Sequence, residues 1–181
     1  MSRSRKNPER LRAPYWLATA LAALLICGAA GPARALVKPG YQLPAIQLPD
    51  TKGAKHDLAA MVKGKVALIV YWSVSCPRCR EELPQIELLA KGLMGNPFVL
   101  VMVCADPPAM APAVEAYAAE QKMAPPLLLD AGPDDSQPLG EALDIIATPG
   151  AAVLNPQGKV TFIQEYHVDM PALEKAIQDS F

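Results

Sequence analysis

The chain has 181 residues, 51% of them hydrophobic and 6% aromatic, and a formal charge of -1. That length supports one domain of ordinary size with sequence left over at an end, and the composition excludes disordered and collagen-like classes. Residues 1–35 hold six Lys/Arg and one acid, so the remainder is acidic, and without a basic stripe it is not built to bind nucleic acid.

Taken in chain order, Arg3, Arg5, Lys6, Arg10 and Arg12 come first. An uncharged, mostly apolar run over residues 15–30 follows, then Gly31-Pro32 and Ala33-Arg34-Ala35. This is the three-part form of a secretory signal, with processing expected after Ala35 and export to the periplasm. An uncleaved membrane anchor is the rival, because the run is only slightly short of a span. Ile26 before Cys27 is bulkier than a lipoprotein signal places there, and the absence of an Arg-Arg pair disfavours a twin-arginine route. Residues 1–35 are therefore read as signal peptide or anchor, 36–43 as linker, and 44–181 as the folded domain.

Residues 45–48 and 55–58 are expected to be two short strands around the turn Asp50-Thr51-Lys52-Gly53. Val66–Trp72 (VALIVYW) is a nearly continuous apolar run of β-formers, which predicts a strand buried on both faces, and Phe98–Cys104 repeats it. Between them Leu83, Ile86, Ala90 and Leu93 recur at helical spacing. An alanine-rich helix is expected over about residues 109–122, with Val114, Tyr117 and Ala118 on one face. A short strand at 127–130 follows Pro125-Pro126, and Leu139, Ala142 and Leu143 mark a short helix. Residues 151–154 and 159–164 flank the hairpin turn Asn155-Pro156-Gln157-Gly158, and Leu173, Ala176 and Ile177 mark a terminal helix. The order predicts an α/β sandwich with a mixed sheet.

The chemistry lies in Ser73-Val74-Ser75-Cys76-Pro77-Arg78-Cys79-Arg80-Glu81-Glu82. A C-x-x-C between a buried strand and a helix puts the first thiol at the helix N-terminus, where unpaired N–H groups and the dipole favour the thiolate. Pro77 suits the first helical turn, and Arg78 adds positive charge. Cys79 lies one turn on, close enough to bridge. A structural zinc site would need two more ligands, and no second C-x-x-C or H-x-x-x-H is present; His56 and His167 are isolated and read as ordinary surface or satisfied residues. A purely structural disulfide is the weaker rival, because so small a loop stabilises little. Cys104 ends a strand at the edge where functional groups gather, yet a buried inert thiol is the commoner fate.

With these residues in place the chain resembles the TlpA/ResA-like family of bacterial thioredoxins, which includes reductants of cytochrome c maturation. The match runs from Leu43-Pro44-Ala45 through Lys63-Gly64-Lys65-Val66, the active-site segment, Ala147-Thr148-Pro149 and Asn155-Pro156-Gln157-Gly158-Lys159. Ser75 departs from the family, standing where a Trp commonly precedes the first cysteine. The resemblance implies a thioredoxin-like three-layer sandwich with a mixed central sheet, an N-terminal β-hairpin and a central insertion. It implies that Thr148-Pro149 is the cis-proline loop facing the cysteines, that Pro77, Arg78, Thr148 and Pro149 contact the client, and that Glu82 assists proton transfer. Expected partners are a client protein with a disulfide or thiol pair and a membrane-bound thiol electron donor; no cofactor or metal is required. Two other classes stay open. One is a peroxiredoxin-type thiol peroxidase, with Ser73 where those enzymes place Thr but Ile69 at their proline position. The other is a copper- or haem-handling chaperone, whose copper-delivering relatives carry C-x-x-x-C instead.

Overall fold

The computed structural model describes residues 39–181 apart from Met94 and Pro125. The expected signal or anchor and the first part of the linker lie outside the described residues. Strands β1 (Gln47–Pro49) and β2 (Lys55–Asp57) form an antiparallel hairpin, and helix α1 (Leu58–Val62) follows at once. Sequence reading ran the second strand through Leu58 and missed α1. Asp57 ends the strand and caps the helix by accepting from Ala60 N at 3.2 Å, while Leu58 and Val62 turn into the core.

The main sheet has five strands in the order β5-β4-β3-β6-β7. They are β3 (Val66–Trp72), β4 (Phe98–Cys104), β5 (Leu128–Leu129), β6 (Gly150–Leu154) and β7 (Val160–Glu165). β3 runs parallel to β4 and antiparallel to β6, so the sheet is mixed as expected. The remaining helices are α2 (Pro77–Gly92), α3 (Ala111–Gln121), α4 (Pro138–Leu143) and α5 (Met170–Gln178). Among the described residues no helix is long and apolar enough to cross a membrane.

Every residue of β3 is buried, and its pleat divides the core in two. Val66, Leu68, Val70 and Trp72 pack with Leu83 and Ile86 of α2, Val114 and Tyr117 of α3, and Leu173 and Ile177 of α5. Ala67, Ile69 and Tyr71 face Leu48, Leu58, Val62, Leu139 and Leu143 on the other side. The result is a three-layer sandwich in which each large buried side chain stabilises by about 1.5–3 kcal/mol. Residues 40–43 join the domain: Gly40 N donates to Val160 O at 2.7 Å, Val160 N to Tyr41 O at 2.8 Å, and Leu43 is buried.

Asp130 shows how the two outer elements are tied to the sheet. Its buried carboxylate accepts from Leu139 N (2.8 Å) and Gly140 N (2.9 Å) at the start of α4, and from Tyr71 Oη at 3.0 Å. Burial raises its pKa, against the pull of these donors. At Gly150, a Cβ would lie 2.8 Å from Ile145 Cγ2 and 3.3 Å from Tyr71 Cβ. The missing side chain lets the preceding loop press onto β3.

Candidate active site

Two loops leave the same end of the sheet. β3 ends at Trp72 and leads into residues 73–76; β6 begins at Gly150, which pairs with Tyr71, so Thr148-Pro149 emerges beside the end of β3. The Thr148–Pro149 peptide bond is cis, and Pro149 is buried. That places the Thr-Pro loop against the edge that carries the cysteines.

Cys76 is the N-cap of α2 in extended conformation, and its Sγ accepts from Cys79 N at 3.0 Å. Pro77 occupies the first turn, where its missing N–H costs nothing. Cys76 and Cys79 are joined as a disulfide with Cα atoms 5.3 Å apart. Both cysteines are buried, Cys79 completely (0% exposed) and Cys76 nearly so (8%). Trp72 stacks on Tyr117 at 5.2 Å, and the Arg80 guanidinium lies 5.3 Å from the Tyr117 ring centroid, which seats the start of α2 against α3.

Three carboxylates hold this edge by accepting backbone amides. Glu82, buried on α2, accepts from Val168 N at 2.9 Å and meets His167 Nδ1 at 2.7 Å, with Arg78 Nη1 at 3.5 Å. Its oxygens therefore face the loop after β7. Glu165, at the end of β7, accepts from Ile146 N (2.9 Å) and Ala147 N (3.1 Å) and so secures the approach to Thr148. Residues 165–168 thus tie both the cysteine helix and the Thr-Pro loop. Asp106, just past β4, accepts from Ser73 Oγ (2.8 Å), Val74 N (2.8 Å) and Cys104 Sγ (3.0 Å).

Cys104 is fully buried, and burial, followed by its hydrogen bond to Asp106, pushes its thiol far above the ordinary range. His56 and His167, isolated in sequence, are each satisfied by a carboxylate, Asp50 at 2.9 Å and Glu82 at 2.7 Å. Among the described residues no group of three or more His, Cys, Asp or Glu side chains is placed to hold a metal ion. Sequence reasoning missed Asp106 and Glu165. Asp106 had one usable signal, an acid just beyond the C-terminal end of a buried parallel strand, where functional groups collect.

The family model described as Redoxin matches residues 38–177. The thioredoxin-like protein YneN of Bacillus subtilis is 26% identical over 132 residues, covering 73% of this chain and 72% of that protein. The thiol:disulfide interchange protein DsbE of Pseudomonas aeruginosa is 40% identical over 53 residues, 29% of this chain and 27% of that protein. In fold, the chain is similar to the thioredoxin domain of a thiol-disulfide oxidoreductase from Bacteroides vulgatus. The TM-score is 0.66 at 23% identity, over 78% of this chain and 96% of that one.

Proposed function

Since the chain belongs to the Redoxin family, as a TlpA/ResA/DsbE-like thioredoxin with thiol:disulfide oxidoreductase activity, we propose that Cys76 attacks and Cys79 resolves in the reduction of client disulfides outside the cytoplasm. The place of Cys76 at the N-cap of α2, with Cys79 the more completely buried residue, carries this assignment. The Cys76 thiolate attacks one client sulfur, the client S–S bond breaks, and a mixed disulfide forms as the other client sulfur leaves. The Cys79 thiolate then attacks Cys76 Sγ, the Cys76–Cys79 disulfide forms, and the client departs as a dithiol after taking up two protons. A membrane-bound thiol donor returns two electrons to the pair.

In this reading Pro77 and Arg78, on the first turn of α2, and Thr148-Pro149, beside the end of β3, form the client-facing rim. Glu82 assists proton transfer at the cysteine pair, and its hydrogen bond to His167, whose side chain is 63% exposed, supplies a path to solvent. The assigned clients belong to cytochrome c maturation. Direction is tested by equilibrating the pair against glutathione and dithiothreitol. A reductant is expected near about -270 mV, whereas a value near the strongly oxidising end, about -120 mV, overturns the reducing direction.

Export follows from the basic start, apolar run and Ala33-Arg34-Ala35. Mass spectrometry of the exported protein is expected to find Leu36 as the first residue. An intact N-terminus in the membrane fraction would establish an anchor in the inner membrane in place of a cleaved signal.

A further inference from the structure

We propose that Asp106 is a positioning residue for Cys76: its carboxylate holds the 73–75 loop and thereby keeps an unpaired negative charge on the segment that leads into the attacking thiol, opposing thiolate formation. The proposal rests on the reading of Cys76 as the attacking thiol.

The hydrogen bonding is directional. Ser73 Oγ donates to Asp106 Oδ1 at 2.8 Å, while Val74 N and Cys104 Sγ donate to Oδ2 at 2.8 and 3.0 Å. Three donors converging on two oxygens is the pattern an acceptor-only carboxylate satisfies. Ser73 has one hydroxyl proton, and Asp106 takes it. The 2.9 Å contact between Ser73 Oγ and Ser75 Oγ must then have Ser75 as donor. Ser75 N also donates to Ser73 Oγ (3.2 Å), and Cys76 N donates to Ser73 O at 3.2 Å. Each residue from 73 to 76 is therefore bound to Asp106 directly or through Ser73. Ala105 N, donating to Trp72 O at 2.8 Å, fixes the strand end from which Asp106 projects.

The charges around the pair make Asp106 distinct. On α2, the helix N-terminus and Arg78 favour a Cys76 thiolate, and Glu82 opposes it. Glu82, however, is already answered by His167 and Val168 N from the loop after β7 and by Arg78 on its own helix. Asp106 meets only neutral donors among the described residues, and Cys104 beside it is held as a protonated thiol. The unpaired charge bound to the segment that leads into Cys76 is therefore that of Asp106, which holds it through Val74 N and Ser73 Oγ.

The test uses the reduced full-length chain, with peptide mapping to report Cys76 alkylation by iodoacetamide as a function of pH. In Asp106→Asn the midpoint is expected to fall. Below the wild-type midpoint the rate then rises about three- to tenfold, and the reduced fraction at a fixed glutathione ratio rises with it. Asp106→Ser, which also removes the charge and keeps a small polar side chain, makes the same test should the Asn variant not fold. Ser73→Ala removes one donor and keeps the charge, so its midpoint is expected to stay at the wild-type value. A folded Asp106 variant with the wild-type midpoint and partition overturns the proposal, as does a Ser73→Ala shift equal to that of Asp106→Asn. Preferential alkylation of Cys79 in the wild type would instead defeat the reading of Cys76, a failure visible before any Asp106 variant is made.

Discussion

Cys76→Ser is expected to lower disulfide exchange by more than about a hundredfold, to the uncatalysed rate, because it removes the proposed nucleophile. Cys79→Ser is expected to behave differently. Cys76 remains at the helix N-cap and is the less completely buried residue of the pair, so the first attack is expected to proceed. Release then fails, since a serine hydroxyl does not displace a thiol from a mixed disulfide, and the client stays attached. Non-reducing electrophoresis of the protein, followed by mass spectrometry of the trapped species, measures both outcomes and names the client. Trapping by Cys76→Ser in place of Cys79→Ser would reverse the order of attack. Sustained turnover by either single variant would remove the two-step scheme. The complete burial of Cys79 is why reversal is not expected: a client sulfur has less access to it than to Cys76.

The second large effect is on stability at alkaline pH. Burial, followed by the Asp106 hydrogen bond, raises the Cys104 thiol far above its ordinary value. Burial, followed by the charge of Asp130, does the same to the Tyr71 phenol. Both groups stay protonated in the folded chain and ionise in the unfolded one, at about pH 8.5 for a thiol and about 10 for a phenol. A raised folded pKa contributes stability that is fully present below the unfolded pKa and is lost as pH rises beyond it. The oxidised protein is therefore expected to weaken above about pH 8.5 and more steeply above about pH 10. Each group adds up to about 1.4 kcal/mol per pH unit. Denaturant titrations across this range are expected to lose the first slope in Cys104→Ala and the second in Tyr71→Phe. Tyr117, also raised by burial, leaves a residual slope in both. Unchanged slopes in the two variants would show that neither group resists ionisation in the fold.

Sequence alone determined the parts of this protein that are written in neighbouring residues. The bounds of β3 and β4 were legible because both are uninterrupted apolar runs of strand formers between turn signals; β3 is buried throughout as expected, whereas Phe98, Val99 and Leu100 of β4 are only half-buried. The helix after the C-x-x-C was legible because its apolar period and its Pro at the first turn are local. The juxtaposition of the two cysteines followed from helical geometry alone. Less local elements were read less well. The strand expected at residues 127–130 shortens to Leu128–Leu129, because its ladder is set by partners on β4, Val103 and Cys104 alone. α1 was hidden because Leu58 suits a strand as well as a helix until Asp57 is seen to cap it.

Only the tertiary structure decided how the acids are used. Glu82 meets His167 across 85 residues, Asp106 meets Ser73 across 33, and Glu165 meets Ile146 across 19. In sequence each is an acid near an element end, indistinguishable from one that faces water. Their partners are backbone N–H groups and side chains from other elements, and which N–H is left unpaired by its own strand or helix is known only once the chain has folded. The cis Thr148–Pro149 bond was expected from the family resemblance and not from the dipeptide, which permits either isomer. Local pattern thus specified the layers and the cysteine pair. The electrostatic setting of that pair was settled by long-range hydrogen bonds, whose geometry no single segment contains.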